Sequence, residues 1–230
     1  MSVDIEVTFD FVCPWCYIGI KRLTRAIEAL SDDFDWNLSW KPYEINPKLP
    51  AAGVDRASYR ATKYGEARGR MVDAQVEAQA RYDSVQIDMN SIGIMANSRL
   101  AHRLRLLAKE KNLERRYIHA VYKAYFEAGI NIGIEAELVR IAESVRIDAD
   151  HARRYLRDIS SDERIVMLEE EARANGVHEV PHFLIGTIPV TGAIPWTAIK
   201  ETLVRAADSD LPPPGQGFCA PDDEDCAGSS

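Results

Sequence analysis

Two cysteines stand two residues apart at the seam between a strand and a helix. Val3-Asp4-Ile5-Glu6-Val7-Thr8-Phe9-Asp10-Phe11 reads as a strand, Tyr17 to Leu30 reads as a helix, and Cys13-Pro14-Trp15-Cys16 joins them. Pro14 suits the first helical turn, where its missing N–H would be unpaired anyway and its fixed φ matches the helix. Cys13 then lies among backbone N–H groups at the positive end of the helix, which favours thiolate over thiol. Cys16, one turn further in, is placed to resolve a mixed disulfide formed on Cys13. Zinc is the competing chemistry. A structural zinc site needs two further Cys or His ligands at workable spacing, and the chain offers only Cys219 and Cys226 in an acidic tail plus five scattered histidines. No second short-spaced pair completes such a site, so a redox dithiol is expected here, with no metal and no bound cofactor.

Composition removes several other classes. No apolar run approaches the length needed to cross a bilayer, so no membrane role is expected. The net charge is −8, but six acidic residues follow Arg205 without a Lys or Arg, which leaves residues 1–207 at −2. With no dense basic face, nucleic acid is not expected as a partner. Met1-Ser2 leads straight into the first strand without a basic segment and apolar stretch, so the expected compartment is the cytoplasm. In a reducing compartment a Cys-x-x-Cys serves catalysis or metal binding more readily than structure.

Periodicity gives the organisation. Phe34, Trp36, Leu38 and Trp40 alternate with polar residues, the signature of a strand with one buried face, and Pro42, Pro47 and Pro50 then break regular structure. From about Ser58 to Asn175 apolar residues recur at helical spacing, as in Leu100, Leu104, Leu107 and Ala108; Ser161-Asp162 is the expected cap of the last helix in this block. His182 to Ile185, a Gly186-Thr187 turn and Ile188 to Thr191 read as a hairpin, followed by a helix from about Pro195 to Ala207. The order β-α-β, helical block, β-β-α is that of a thioredoxin-like α/β fold carrying a large all-helical insertion. The expected divisions are residues 1–50 and 176–207 for the two halves, 51–175 for the insertion, and 208–230 for a flexible acidic tail.

Such a site needs a second element against the first sulfur, and Val180-Pro181 is the candidate. A cis peptide there would set the Val180 backbone beside Cys13, where it can pair with an extended substrate. The alternative is a trans proline opening an edge strand.

Phe9 to Gly19 around Cys-Pro-Trp-Cys, Lys41-Pro42-Tyr43-Glu44-Ile45-Asn46-Pro47, and Gly176 to Phe183 together resemble the DsbA-like thiol–disulfide oxidoreductases of the FrnE type over about residues 3 to 207. The resemblance implies a thioredoxin fold with a helical insertion, Cys13 as attacking sulfur, Cys16 as resolving sulfur, and Pro181 as the cis-proline. It also implies thiol- or disulfide-containing proteins or small molecules as substrates. DsbA itself has histidine between its cysteines, whereas this chain has Trp15, so a strongly oxidising role is not implied. A monomer or a homodimer is expected.

The Asn97 to Arg103 stretch is also similar to hydroxychromene-carboxylate isomerases, glutathione-dependent enzymes of the same superfamily. That resemblance makes glutathione or another thiol a redox partner to test, and it puts Asn97 in a small-molecule pocket. The plainer reading has Asn97 capping a helix with His102 on its surface. Retention of both thiols favours redox chemistry over isomerisation. Asp10, three residues before Cys13, reads either as a buried carboxylate relaying protons to Cys16 or as a strand-end residue bonded to nearby backbone. Cys219 and Cys226 sit beside Asp222 to Asp225, which disfavours thiolate. Some FrnE-type proteins resemble this chain in having such an extra pair, so these two form either an auxiliary couple exchanging with Cys13–Cys16 or an inert tail disulfide.

Overall fold

A computed structural model describes residues 2–30 and 35–209. Phe34 and residues 210–230 of the acidic tail, with Cys219 and Cys226, lie outside the described residues, whereas residues 208 and 209, expected in the tail, continue the last helix. The first half comprises β1 (Ser2–Phe9), α1 (Pro14–Glu28) and β2 (Asp35–Pro42). The block that follows holds β3 (Val54–Asp55), α2 (Arg56–Tyr64), α3 (Glu66–Tyr82), β4 (Ile94–Met95), α4 (Arg99–Glu110), α5 (Glu114–Phe126), α6 (Glu135–Ser144), α7 (Ala149–Arg157) and α8 (Ser160–Ala174). The chain then returns through β5 (His182–Ile185), β6 (Ile188–Thr191) and α9 (Trp196–Ser209).

The main sheet has the order β2-β1-β5-β6. β1 pairs in parallel with β2 from Ser2↔Asp35 to Phe9↔Pro42, a connection that requires the α1 crossover. It pairs antiparallel with β5, Val7 facing Phe183, and β5 closes on β6 with Ile185 facing Ile188. Gly186 permits that two-residue connection by taking φ 58°. β1 is central, and Val3, Ile5, Val7, Thr8 and Phe9 are all buried, so its far end points Asp10 and the dithiol out of the middle of the sheet.

Between the halves, the helices are accompanied by a two-residue ribbon in which Val54 pairs with Met95 and Asp55 with Ile94. Asp55 then caps α2 by accepting from the Ser58 N–H at 2.8 Å. α8 begins at Ser160, two residues earlier than a cap at Ser161 would place it. Asp158 accepts from the Ser160 N–H at 2.9 Å, while Ser161 Oγ is drawn inward to accept from Arg103 Nε at 2.8 Å.

The expectation that His102 lies on a helix surface is corrected by α4. Every residue from Ala101 to Ala108 is buried, because α5, α6, α7 and α8 all pack around this helix. Its polar side chains are therefore interior. Arg103 donates to the Leu156 and Asp158 carbonyls at the end of α7, at 2.7 and 2.8 Å. Arg105 donates to the Trp40 carbonyl of β2 at 2.9 Å and ion-pairs with Glu114 at the start of α5.

Removing one partner of a buried ion pair leaves the other charge uncompensated, whereas replacing both with apolar groups is often close to neutral. Arg105→Ala should cost about 3–5 kcal/mol in urea unfolding. The double variant Arg105→Met/Glu114→Leu should recover most of that loss. Equal losses in the two variants would show that Arg105 acts through the Trp40 carbonyl rather than through the pair.

Candidate active site

The β1–α1 joint sets Cys13 at the N-cap of α1, with Pro14 in the first turn. Its backbone is extended, φ −91° and ψ 111°, and its carbonyl accepts from the N–H groups of Cys16 and Tyr17 at 3.1 and 3.3 Å. The first turn, Pro14-Trp15-Cys16-Tyr17, has no acidic side chain to compete for the positive end of the helix. Both cysteines are free thiols and both are buried. The Cys13 thiol lies 3.8 Å from the Val180 carbonyl oxygen, and the Val180–Pro181 peptide bond is cis. The loop carrying it is tied down at both ends. Tyr43 Oη donates to the His178 carbonyl at 3.2 Å, and the Gly192 N–H donates to the Pro181 carbonyl at 2.8 Å. Gly19, on the α1 face that meets this loop, leaves room for the Pro181 ring; a Cβ there would stand 2.9 Å from Pro181 Cγ.

Cys16 has no exposed surface. Burial pushes its thiol well above the ordinary range, and the neighbouring Cys13 pushes it further. Asp10 is also fully buried beneath the pair. Its Oδ2 accepts from the Ile45 N–H at 2.8 Å, Oδ1 accepts weakly from the Val12 N–H at 3.5 Å, and its carbonyl accepts from Cys13 N–H and Tyr122 Oη. Asp10 is thus both a buried carboxylate and a strand-end residue bonded to local backbone. His102 stands beside it, with Nε2 3.4 Å from Asp10 Oδ1. Burial lowers the imidazole pKa.

A cavity of about 160 Å³ opens beside Cys13, Pro14 and Trp15. Its far wall carries Arg56, Arg60 and Lys63 of α2 with Asp73 of α3. Asp73 bridges Arg56 and Arg60 at 2.9 and 2.7 Å. Lys63 is bonded to Tyr59 Oη at 3.1 Å and sits over the Tyr59 and Tyr64 rings. Three cations against one carboxylate give the cavity a positive potential.

A second buried acid group lies behind the site. Glu44, next to Ile45, ion-pairs with Arg99, and its N–H donates to Glu169 Oε1 at 2.7 Å. Burial, then repulsion from Glu169, raises the Glu44 carboxyl from 4.5 to about 7, partly opposed by Arg99.

The structure brings together Cys13, Cys16, Val180, Pro181, Pro14, Trp15 and Asp10. Asn97 stands apart from the cavity. Its Oδ1 accepts from the Arg99 N–H and its Nδ2 donates to the Leu49 carbonyl, both at 2.9 Å, so it fastens the start of α4 to the loop after β2. The α2 cations escape a reading by motif, and His102, expected on a helix surface, instead lies buried beside Asp10. The available signal was the run of His and Arg within an otherwise apolar α4, which only full enclosure explains.

The DSBA-like thioredoxin domain matches residues 4–204 of the chain. The chain is 27% identical over 194 residues to the uncharacterized protein YwbO of Bacillus subtilis, spanning 84% of this chain and 92% of that protein. It shares its fold with a probable DsbA oxidoreductase from Streptomyces coelicolor, at TM-score 0.84 and 24% identity over 96% of this chain and 97% of that one. It also shares it with a 2-hydroxychromene-2-carboxylate isomerase, at TM-score 0.69 and 14% identity over 90% and 97% of the two chains.

Two outcomes follow from this geometry. Gly19→Ala should push on the Pro181 ring, destabilising the protein by about 1–3 kcal/mol; unchanged thermal unfolding would mean that the ring yields freely. The raised Glu44 carboxyl means that the folded protein keeps a proton which the unfolded chain releases between pH 4.5 and about 7, so stability falls as pH rises through that window. Glu44→Gln removes this titration. The melting temperature of the variant minus that of the wild type should therefore increase from about pH 5 to pH 8, and a flat difference would refute the assignment.

Proposed function

The chain belongs to the DSBA-like thioredoxin domain family, and from that premise we propose that it is a thiol–disulfide oxidoreductase acting through a mixed disulfide on Cys13 that Cys16 resolves. The observation carrying this reading is the Cys13 sulfur at the N-cap of α1, 3.8 Å from the Val180 carbonyl, with a second thiol one turn below it. A Cys13 thiolate at the positive helix end attacks a substrate disulfide, one half of which leaves as thiolate. An extended substrate segment can pair with the Val180 backbone during this step. Cys16 then loses its proton to Asp10 and attacks the Cys13 sulfur. The Cys13–Cys16 bond forms, the second substrate half leaves, and two electrons have passed to the substrate. The same steps in reverse oxidise a dithiol.

The cationic cavity beside Cys13 supports small anionic thiols or disulfides, glutathione among them, as substrates or redox partners. It also favours one second reading, a glutathione-dependent isomerase or transferase that uses the cavity without needing Cys16. Retention of both thiols supports the redox reading over it.

Cys13→Ser should abolish reduction of insulin and of glutathione disulfide. Full activity in that variant would sink the mechanism. Cys16→Ser should stop turnover and accumulate a Cys13–glutathione adduct, visible by mass spectrometry. Undiminished activity in Cys16→Ser, together with a stoichiometric glutathione complex, would favour the isomerase reading.

A further inference from the structure

His102 is remote from the dithiol in sequence, yet α4 delivers it to the floor of the site. It has no exposed surface. Phe9 and Phe11 hold its ring at centroid distances of 5.4 and 4.7 Å. Among the described residues neither ring nitrogen makes a hydrogen bond. Two unsatisfied nitrogens in a closed interior are costly, and a purely space-filling position between two phenylalanines would be better served by an apolar ring. One neighbouring carboxylate oxygen is informative. Nε2 stands 3.4 Å from Asp10 Oδ1, while Oδ2 is occupied by the Ile45 N–H. Oδ1, held only weakly by Val12, is therefore the oxygen left to take a proton. A protonated Oδ1 would donate to Nε2 and satisfy both atoms at once.

We propose that His102 is a positioning residue for the resolving half-reaction, stabilising on Asp10 the proton that Cys16 gives up. The inference rests on the oxidoreductase reading above. The Cys16 thiol passes its proton to Asp10 Oδ1, whose O–H donates to His102 Nε2. The Cys16 thiolate then displaces the substrate sulfur from Cys13, forming the Cys13–Cys16 bond. The departing thiolate takes a proton from solvent, and the stored proton returns to Cys16 when the couple is next reduced.

The groups around the pair suit this role. Tyr122 on α5 bonds the Asp10 carbonyl at 3.1 Å, and Cys13 and Cys16 face it from α1. Glu169 on α8 draws the imidazole toward its charged form and Arg105 on α4 opposes it, while Glu44 beside Ile45 also faces Asp10. Burial keeps the imidazole neutral and so able to accept.

Mixing the reduced protein with excess dithiobis(nitrobenzoate) separates the two half-reactions. Attack by Cys13 releases one coloured thiolate, and attack by Cys16 on the resulting adduct releases a second. His102→Phe keeps the ring shape and removes the acceptor. It should leave the first phase within roughly twofold, slow the second about tenfold or more near neutral pH, and shift the pH profile of the second phase. His102→Gln, which restores an acceptor, should recover part of the rate. An unchanged second phase and pH profile in folded His102→Phe would overturn the proposal. Failure of the first phase in the wild-type protein would instead overturn the reading of Cys13. A further measurement needs no substitution: the His102 ring ¹⁵N shifts, followed from about pH 5 to pH 8, should differ between reduced and oxidised protein. Identical titrations in the two states would also overturn the proposal.

Discussion

A carboxylate with no exposed surface organises this protein. Asp10 terminates β1, accepts the N–H of Ile45 from the loop after β2, and through its carbonyl receives Cys13 N–H and Tyr122 Oη. These bonds join the start of α1, the exit from β2 and the middle of α5. Burying a carboxylate without such partners would cost several kcal/mol. The surrounding elements are therefore constrained to converge on the one point where the dithiol stands. The thiol site and the architecture share a floor.

That convergence explains what the long helical block contributes. A β-α-β, β-β-α core leaves the end of β1 open on one side, and α4 and α5 close it. Tyr17 stacks on Tyr122 at 4.8 Å with an interplanar angle of 6°, Phe11 packs edge-on to Phe9 at 5.0 Å, and both phenylalanines meet His102. Aromatic rings bury large areas with few rotatable bonds. The block therefore acts as the missing wall of the candidate site, and its α2 supplies the cations of the cavity beside Cys13.

Much of the element order could be read from the chain, because strand alternation, helical spacing and Pro or Gly breaks are local properties. The Gly186-Thr187 hairpin and the strand-to-helix joint at Cys13 were legible for that reason. The α8 start and the depth of His102 were not. Both depend on partners distant in sequence: Arg103 pulls Ser161 inward at 2.8 Å, and α4 is enclosed on every side rather than amphipathic. An amphipathic template assigns polar residues to solvent. It fails where a helix is surrounded and its charges are satisfied by the end of α7 and by β2. The Asn97 stretch illustrates the same limit, since its polar atoms serve the Leu49 carbonyl and the Arg99 N–H rather than a pocket.

Burial also bears on the order of events in the reaction proposed for the dithiol. Cys16 has no surface, and its thiol is raised by its surroundings, so under the proposed reaction an incoming disulfide would meet Cys13 first. A second attacker protected in this way cannot give its proton to bulk water. It needs a base inside the protein, within reach of the same enclosed space. Asp10 lies in that space, and the burial that closes it against solvent is the largest cause raising the Cys16 thiol. In the proposed reaction the environment that delays Cys16 is thus also the one that would supply its base. A buried polar floor, which would be a liability elsewhere in a core, therefore suits the resolving role proposed for Cys16.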